Sequence, residues 1–267
     1  MYKEVPTISI VFMLISCIGG LLIPILFEGY FYRKKKADLY SFIIGAGVFM
    51  LFGVILKNIF QSMVFTSDFA KASIIPNKTV FAGLGAAFAA IFEETGRLLA
   101  FLYPLKKYRE KNQNALMYGA GHGGMESLII LTLGMVSNIY LAININNGNI
   151  DSILNGLSGQ VLNNYLDLID KLASTGWYFY LLGIIERVIA MFAQISMSVL
   201  VWFAVKNKKA SLFFLSLALH FLLDFVSLIL SQKAINILII ELVILALTVI
   251  MVYLAKKIWD REKTKTA

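Results

Sequence analysis

Apolar residues along this chain come in long unbroken runs separated by short polar stretches. A hydrocarbon core about 30 Å thick takes about 20 helical residues. Seven runs reach that length, at about residues 8–32, 39–65, 79–103, 115–143, 177–205, 211–230 and 234–256. They lack the strict alternation of a membrane β-strand, and a chain in lipid must satisfy its own backbone amides. The expected class is therefore an all-α polytopic membrane protein, a bundle of about seven transmembrane helices forming a single domain over residues 1–267. The first run is too long for a secretory signal, Lys3 is offset by Glu4, and no A-x-A site precedes the basic residues that follow.

The longest connection, 144–176, starts with a turn-rich stretch and then carries Leu154, Leu157, Val161, Tyr165, Leu168 and Leu172. Their intervals of three and four make one helical stripe, opposed by Asn163, Asn164, Asp167 and Asp170. An amphipathic helix over about 152–173 at the outer interface is expected, acting as a connector or as a lid.

Composition agrees with the pattern: 59% of residues are hydrophobic, 15% are charged and the mean hydropathy is +0.77. The net charge of +8 invites a nucleic-acid reading, but the basic residues sit in short runs between apolar segments, which is a topology signal. One set of connections holds sixteen Lys and Arg, at 33–36, 106–111, 206–209 and 256–265, against five in the other set, Lys3, Lys71, Lys78, Lys171 and Lys233. Taking the basic side as cytoplasmic puts the N-terminus outside and the C-terminus inside. The single cysteine, Cys17, can form no internal disulfide.

Three basic residues, Lys57, Arg97 and Arg187, fall inside the runs. A charge near the bilayer centre costs on the order of 2.5–3.5 kcal/mol on insertion scales, so such groups face the protein interior and serve a task. The third run holds Glu93, Glu94 and Arg97 about ten residues from its basic end, roughly 15 Å deep. Arg97 stands i+4 from Glu93 and i+3 from Glu94, so it can neutralise either. A structural bridge needs one carboxylate; the second is free for general acid–base work.

The fourth run opens with Gly119, Gly121, His122, Gly123, Gly124 and Glu126, placing His122 and Glu126 one turn apart and about 10–17 Å from the same end. Its glycines let a neighbouring helix or a substrate backbone approach closely. The sixth run carries the other histidine, His220, one turn before Asp224. Comparable depths in three runs point to one shared polar cavity. Glu186 with Arg187, and Lys57 with Asn58, lie further toward the outer side; the first is expected to neutralise itself and Lys57 to snorkel or pair.

With Glu93-Glu94-x-x-Arg97 in one run, the glycine-flanked His122 in the next and His220-x-x-x-Asp224 in a later one, the chain resembles the YhfC-type family of membrane peptidases. That family is grouped with the CAAX prenyl endopeptidases and the bacterial Abi-type CPBP proteins, and the resemblance covers about the third to sixth runs. In the CAAX relatives the first glutamate and a histidine of the next motif activate a water, while a later histidine and the residue four beyond it form an oxyanion hole. Carried onto matching positions, the resemblance implies Glu93 and His122 as the water-activating pair and His220 with Asp224 at the oxyanion. Arg97 and Glu94 would tune and orient that centre. The chain departs from the pattern in two places: Arg97 is one residue nearer the glutamates, and Asp224 stands where asparagine is typical. An ionised aspartate cannot donate to an oxyanion, so Asp224 would have to be protonated or act by orienting His220. Glu126 is a further candidate carboxylate without a matched role.

The resemblance favours a metal-free water and no cofactor. Zinc is the alternative, since His122, His220, Glu126 and either Glu93 or Asp224 supply the nitrogen and oxygen donors of a catalytic site. The expected activity is endopeptidase cleavage of a membrane-embedded or membrane-proximal polypeptide, with the lipid bilayer as surroundings and no nucleic acid. A proton-coupled transporter is the rival, because carboxylate and histidine chains in spans also relay protons. A non-catalytic receptor or immunity factor on the same fold is a third reading. The expected location is a bacterial plasma membrane.

Overall fold

The computed structural model describes residues 2–233 and 235–264; Ala234, which opens the seventh run, and Lys265, counted among the basic residues, lie outside the described residues. Every regular element among the described residues is helical. In order the main helices are α1 (Thr7–Lys35), α2 (Leu39–Phe65), α3 (Lys78–Leu102), α4 (Gln113–Asn146), α5 (Ile150–Leu154), α6 (Gly159–Ser174), α7 (Tyr178–Lys206), α8 (Ala210–Gln232) and α9 (Ile237–Thr264), with a short π-helical turn at Ala70–Ile74 and a 3-10 turn at Lys106–Tyr108. Within α2 the stretch Phe49–Leu56 is π-helical, and within α4 so is Leu128–Leu133.

Six helices, α1, α2, α4, α7, α8 and α9, are long and apolar enough to cross a membrane. The remaining expected span, α3, has the length, 25 residues or about 37 Å, but carries Glu93, Glu94 and Arg97, which lower its apolarity and are themselves buried. The expected amphipathic helix is broken in two. Gly156 adopts φ +85°, a left-handed conformation that ends α5 and separates Leu154 from the rest of the stripe.

The chain falls into two compact units. The first comprises residues 2–23 and 127–188, with a core of Val5, Met13, Leu141, Ile169, Leu172 and Tyr180. Helix α6 leaves Asn163, Asn164, Asp167 and Asp170 exposed, as expected, but of its expected apolar stripe only Leu172 is buried, with Ile169 beside it, while Val161 and Tyr165 are exposed. Polar side chains close on backbone in this unit: Asn146 exchanges hydrogen bonds of 2.8 and 2.9 Å with Val5, and Ser16 donates to the Tyr180 carbonyl at 2.6 Å. Arg187 donates to Glu186, the self-neutralised pair expected from sequence.

The second unit comprises residues 24–126 and 189–264. Trp202, Phe101, Tyr118 and Phe203 fill its core, with Trp202 edge-on to Phe101 at 5.1 Å. Lys111 Nζ and Asn114 Nδ2 reach the Asp38 carboxylate at 2.8 and 2.9 Å, tying the α1–α2 turn to the start of α4. Burial raises the Asp38 pKa, but these two contacts outweigh it and hold the carboxyl below its usual range. Helices α2 and α4 cross with backbones almost touching. A Cβ on Gly45 would lie 2.2 Å from the Tyr118 carbonyl oxygen, and one on Gly121 would lie 2.0 Å from that of Phe42. Gly47, in the same helix as Gly45, faces open space. Gly45→Ala is therefore expected to destabilise the protein by about 1–3 kcal/mol through overpacking, while Gly47→Ala stays near neutral. Thermal unfolding in detergent checks this, and equal effects of the two variants would contradict the close crossing.

Candidate active site

The second unit brings together polar side chains from four helices. From α3 come Glu93, Glu94 and Arg97, from α4 His122 and Glu126, from α7 Gln194, and from α8 Ser216, His220 and Asp224. Ser216, His220 and Asp224 recur every four residues, so one face of α8 presents all three to α3.

Glu93 is the meeting point. Its Oε2 lies 3.1 Å from His122 Nε2 and 3.8 Å from His220 Nε2, so two imidazoles from different helices converge on one carboxylate oxygen. Glu94 faces the other way, accepting from Arg97, from Ser216 Oγ at 2.8 Å and contacting His220 Nδ1 at 2.9 Å. A carboxylate already paired with a guanidinium accepts, so His220 carries its hydrogen on Nδ1 in this contact. Asp224 Oδ2 is 3.6 Å from His220 Nε2. Arg97 also donates to Gln194 Oε1, and Gln194 Nε2 donates to Glu126 Oε2 at 2.8 Å. A continuous buried chain thus runs from His220 through Glu94, Arg97 and Gln194 to Glu126.

Glu93, Glu94, Arg97, His122 and His220 are buried, whereas the Asp224 side chain is 33% exposed and marks where the cluster opens. The π-helical part of α2 forms a wall: the Phe49 ring meets the His122 ring edge-on at 5.1 Å, and Gly53 leaves room for Glu93, whose Cγ would lie 3.3 Å from an added Cβ. π-Helical turns are frequent at functional sites. The Tyr118 hydroxyl lies beside the Arg97 guanidinium, and His122 Nδ1 is buried without a protein hydrogen-bond partner, leaving capacity at the site for another group.

One expectation needs correction. The glycines beside His122 do not open space for a substrate backbone, because each is packed: a Cβ would meet Ile195 Cα at 2.6 Å from Gly119, the Phe42 carbonyl from Gly121, Gln194 Cβ at 3.1 Å from Gly123 and Pro24 Cβ at 2.6 Å from Gly124. Lys57, expected to snorkel or pair, has its ammonium acting electrostatically on both Glu93 and Asp224. Gln194 and Ser216 were not singled out from sequence. Ser216 could have been, from its four-residue spacing to His220; Gln194 is one polar residue among several in its run, with Ser196 and Ser198 as neighbours.

In kind, two imidazoles with the carboxylates of Glu93, Glu126 and Asp224 suit zinc. In arrangement, Glu93 Oε2 meets His122 Nε2 and His220 Nε2 at 3.1 and 3.8 Å, so these donors converge on one point while engaging one another. His122 Nε2 is engaged directly by Glu93, and its Nδ1 is buried without an acceptor, whereas a metal-bound imidazole passes its other N–H to a carboxylate, carbonyl or water. Glu126 Oε2 is held by Gln194. Among the described residues no group of three or more His, Cys, Asp or Glu side chains is arranged to hold a metal ion.

The family model described as YhfC intramembrane metalloprotease matches residues 19–245, which include every residue of this cluster. The chain belongs to that family. It is also 32% identical over 257 residues to the uncharacterized membrane protein YhfC of Bacillus subtilis (strain 168), covering 94% of this chain and 98% of that protein. No solved structure matches. Membership and the six apolar helices make the chain an integral membrane protein of a YhfC protease family, and the Bacillus relative points to a bacterial plasma membrane. The family description names a metalloprotease, which is compatible with the zinc alternative.

Proposed function

We propose that the protein is an intramembrane endopeptidase in which Glu93 and His122 activate the hydrolytic water without a resident metal. The observation that carries this reading is the convergence of His122 Nε2 and His220 Nε2 on Glu93 Oε2, at 3.1 and 3.8 Å, inside a buried cluster. A water beside the Glu93–His122 pair gives its proton to the Glu93 carboxylate as its oxygen attacks the scissile carbonyl carbon. The developing oxyanion takes a hydrogen bond from His220 Nε2; with Nδ1–H held by Glu94, His220 must carry both protons to donate there. Asp224 orients His220 and supplies no donor, which accounts for aspartate where asparagine is typical. As the C–N bond breaks, the Glu93 proton passes to the departing amine nitrogen, leaving a carboxylic acid and an amine. Substrate approaches past Asp224, which is half-buried and stands next to His220. The same reading keeps the sixteen-residue basic set of connections in the cytoplasm.

The test is reconstitution with a detergent extract of bacterial membrane proteins in vesicles, followed by labelling of new N-termini and mass spectrometry. Cleavage sites inside apolar segments are expected from the natural protein after metal stripping, with elemental analysis showing zinc far below one per chain. Loss of cleavage on stripping and its return with zinc would overturn the metal-free assignment. Identical sets of N-termini with the protein and with a Glu93→Gln variant would overturn the peptidase reading.

A further inference from the structure

Away from the cluster, α4, α7 and α9 enclose a groove of about 230 Å³ lined by Leu116, Phe192, Ile195, Val199, Val252 and Trp259, with Lys256 at its edge. Its hydroxyl, Ser196 Oγ, already donates to the Phe192 carbonyl at 2.7 Å, so the interior offers a ligand only apolar contact. On the adjoining face of α9 lies a second groove of about 450 Å³, lined by Tyr253, Lys256, Lys257, Asp260, Arg261 and Thr264. Lys256 belongs to both. One side is oily; the other presents three cations against one acid.

Size decides what can enter. A helix about 10 Å across would fill 230 Å³ within about 3 Å of its length, so the groove matches a narrow chain better than a whole helix. A flexible hydrocarbon chain fits. The partner that is apolar along its length and anionic at its end is a phospholipid, in the leaflet that holds the C-terminal end of α9. The geometry points to a binding site for one anionic phospholipid, its acyl chain along Val252, Ala255 and Val199 and its phosphate at Lys256, Lys257 and Arg261. Basic residues near a membrane surface each contribute about 1 kcal/mol to such attraction, or about fivefold in affinity. The groove backs onto the stretch of α7 that carries Gln194, so an occupant packs against the helix that holds Arg97 and Glu126.

Trp259 lines the groove and reports its contents. The protein is reconstituted in phosphatidylcholine vesicles containing either phosphatidylglycerol or further phosphatidylcholine, brominated near the glycerol end, and tryptophan quenching is followed. The signal of Trp259 is the part lost in Trp259→Phe. Brominated phosphatidylglycerol is expected to quench it with at least about fivefold preference. The preference should vanish in the Lys256→Gln, Lys257→Gln, Arg261→Gln triple variant. Val252→Phe, which fills the groove and leaves the charges, should lose quenching by both lipids. Equal quenching by the two lipids in the natural protein overturns the site in favour of bulk lipid. Displacement of the brominated lipid by an added apolar transmembrane peptide overturns it in favour of a polypeptide groove.

Discussion

Glu93→Gln lowers cleavage about a hundred- to ten-thousandfold, the range by which a positioned general base accelerates proton transfer, while the protein stays folded. Glutamine keeps the shape and can still meet His122 Nε2, now 3.1 Å from Glu93 Oε2, but it cannot accept the proton of the attacking water. Removing the Glu93 carboxylate leaves the His220 charge beside Glu94 and Asp224, and His122 can adopt a neutral tautomer, so no charge is stranded. Thermal unfolding is thus expected to change by less than about 1 kcal/mol, the scale of a single neutral hydrogen bond. Cleavage rate and unfolding temperature, measured on the same preparation, separate a catalytic loss from a folding loss. A variant that unfolds early, or that cleaves at the natural rate, would show that Glu93 is structural.

Arg97→Met has the opposite signature, a large loss of stability. Arg97 is fully buried, pairs with Glu94 and donates to Gln194. Taking one partner from a buried ion pair strands the other, and the expected cost is about 3–5 kcal/mol. Combining Arg97→Met with Glu94→Gln removes the stranded charge, so the double variant should recover part of the loss. Arg97→Lys should not rescue, because an ammonium cannot span Glu94 and Gln194 as the planar guanidinium does. Unfolding in detergent measures all three. A loss no larger than that of the exposed Lys35→Gln would refute the buried-pair account.

The helices were legible because lipid demands long apolar runs, and six of them answer to that rule directly. The helix α3 shows its limit: what makes it functional, buried Glu93, Glu94 and Arg97, also removes it from the apolar set. Within each helix, the spacing of Glu93 to Arg97, His122 to Glu126 and His220 to Asp224 fixed which side chains share a face. Contacts between helices followed from common depth only in outline. Depth says that His122 and His220 are near Glu93; it does not say that both meet the same oxygen, nor that Glu94 turns to the guanidinium. Gln194 escaped notice because its polar neighbours Ser196 and Ser198 are serines, which helices accommodate by bonding their own backbone, as both do here. The glycines around His122 were ambiguous for a different reason, since the absence of a side chain announces a close approach without naming what approaches. Here it is Phe42, Ile195, Gln194 and Pro24. The outer stripe failed at Gly156, where a left-handed residue interrupts a pattern that apolar spacing alone would have carried through.

The central claim is that Glu93 and His122 act on one water as a unit, and a double-mutant cycle on cleavage tests it most directly. Groups that act together lose their function together, so Glu93→Gln, His122→Asn and the double variant should all fall to nearly the same residual rate. Losses that multiply in the double variant would mean two independent contributions, and the shared water would have to be abandoned.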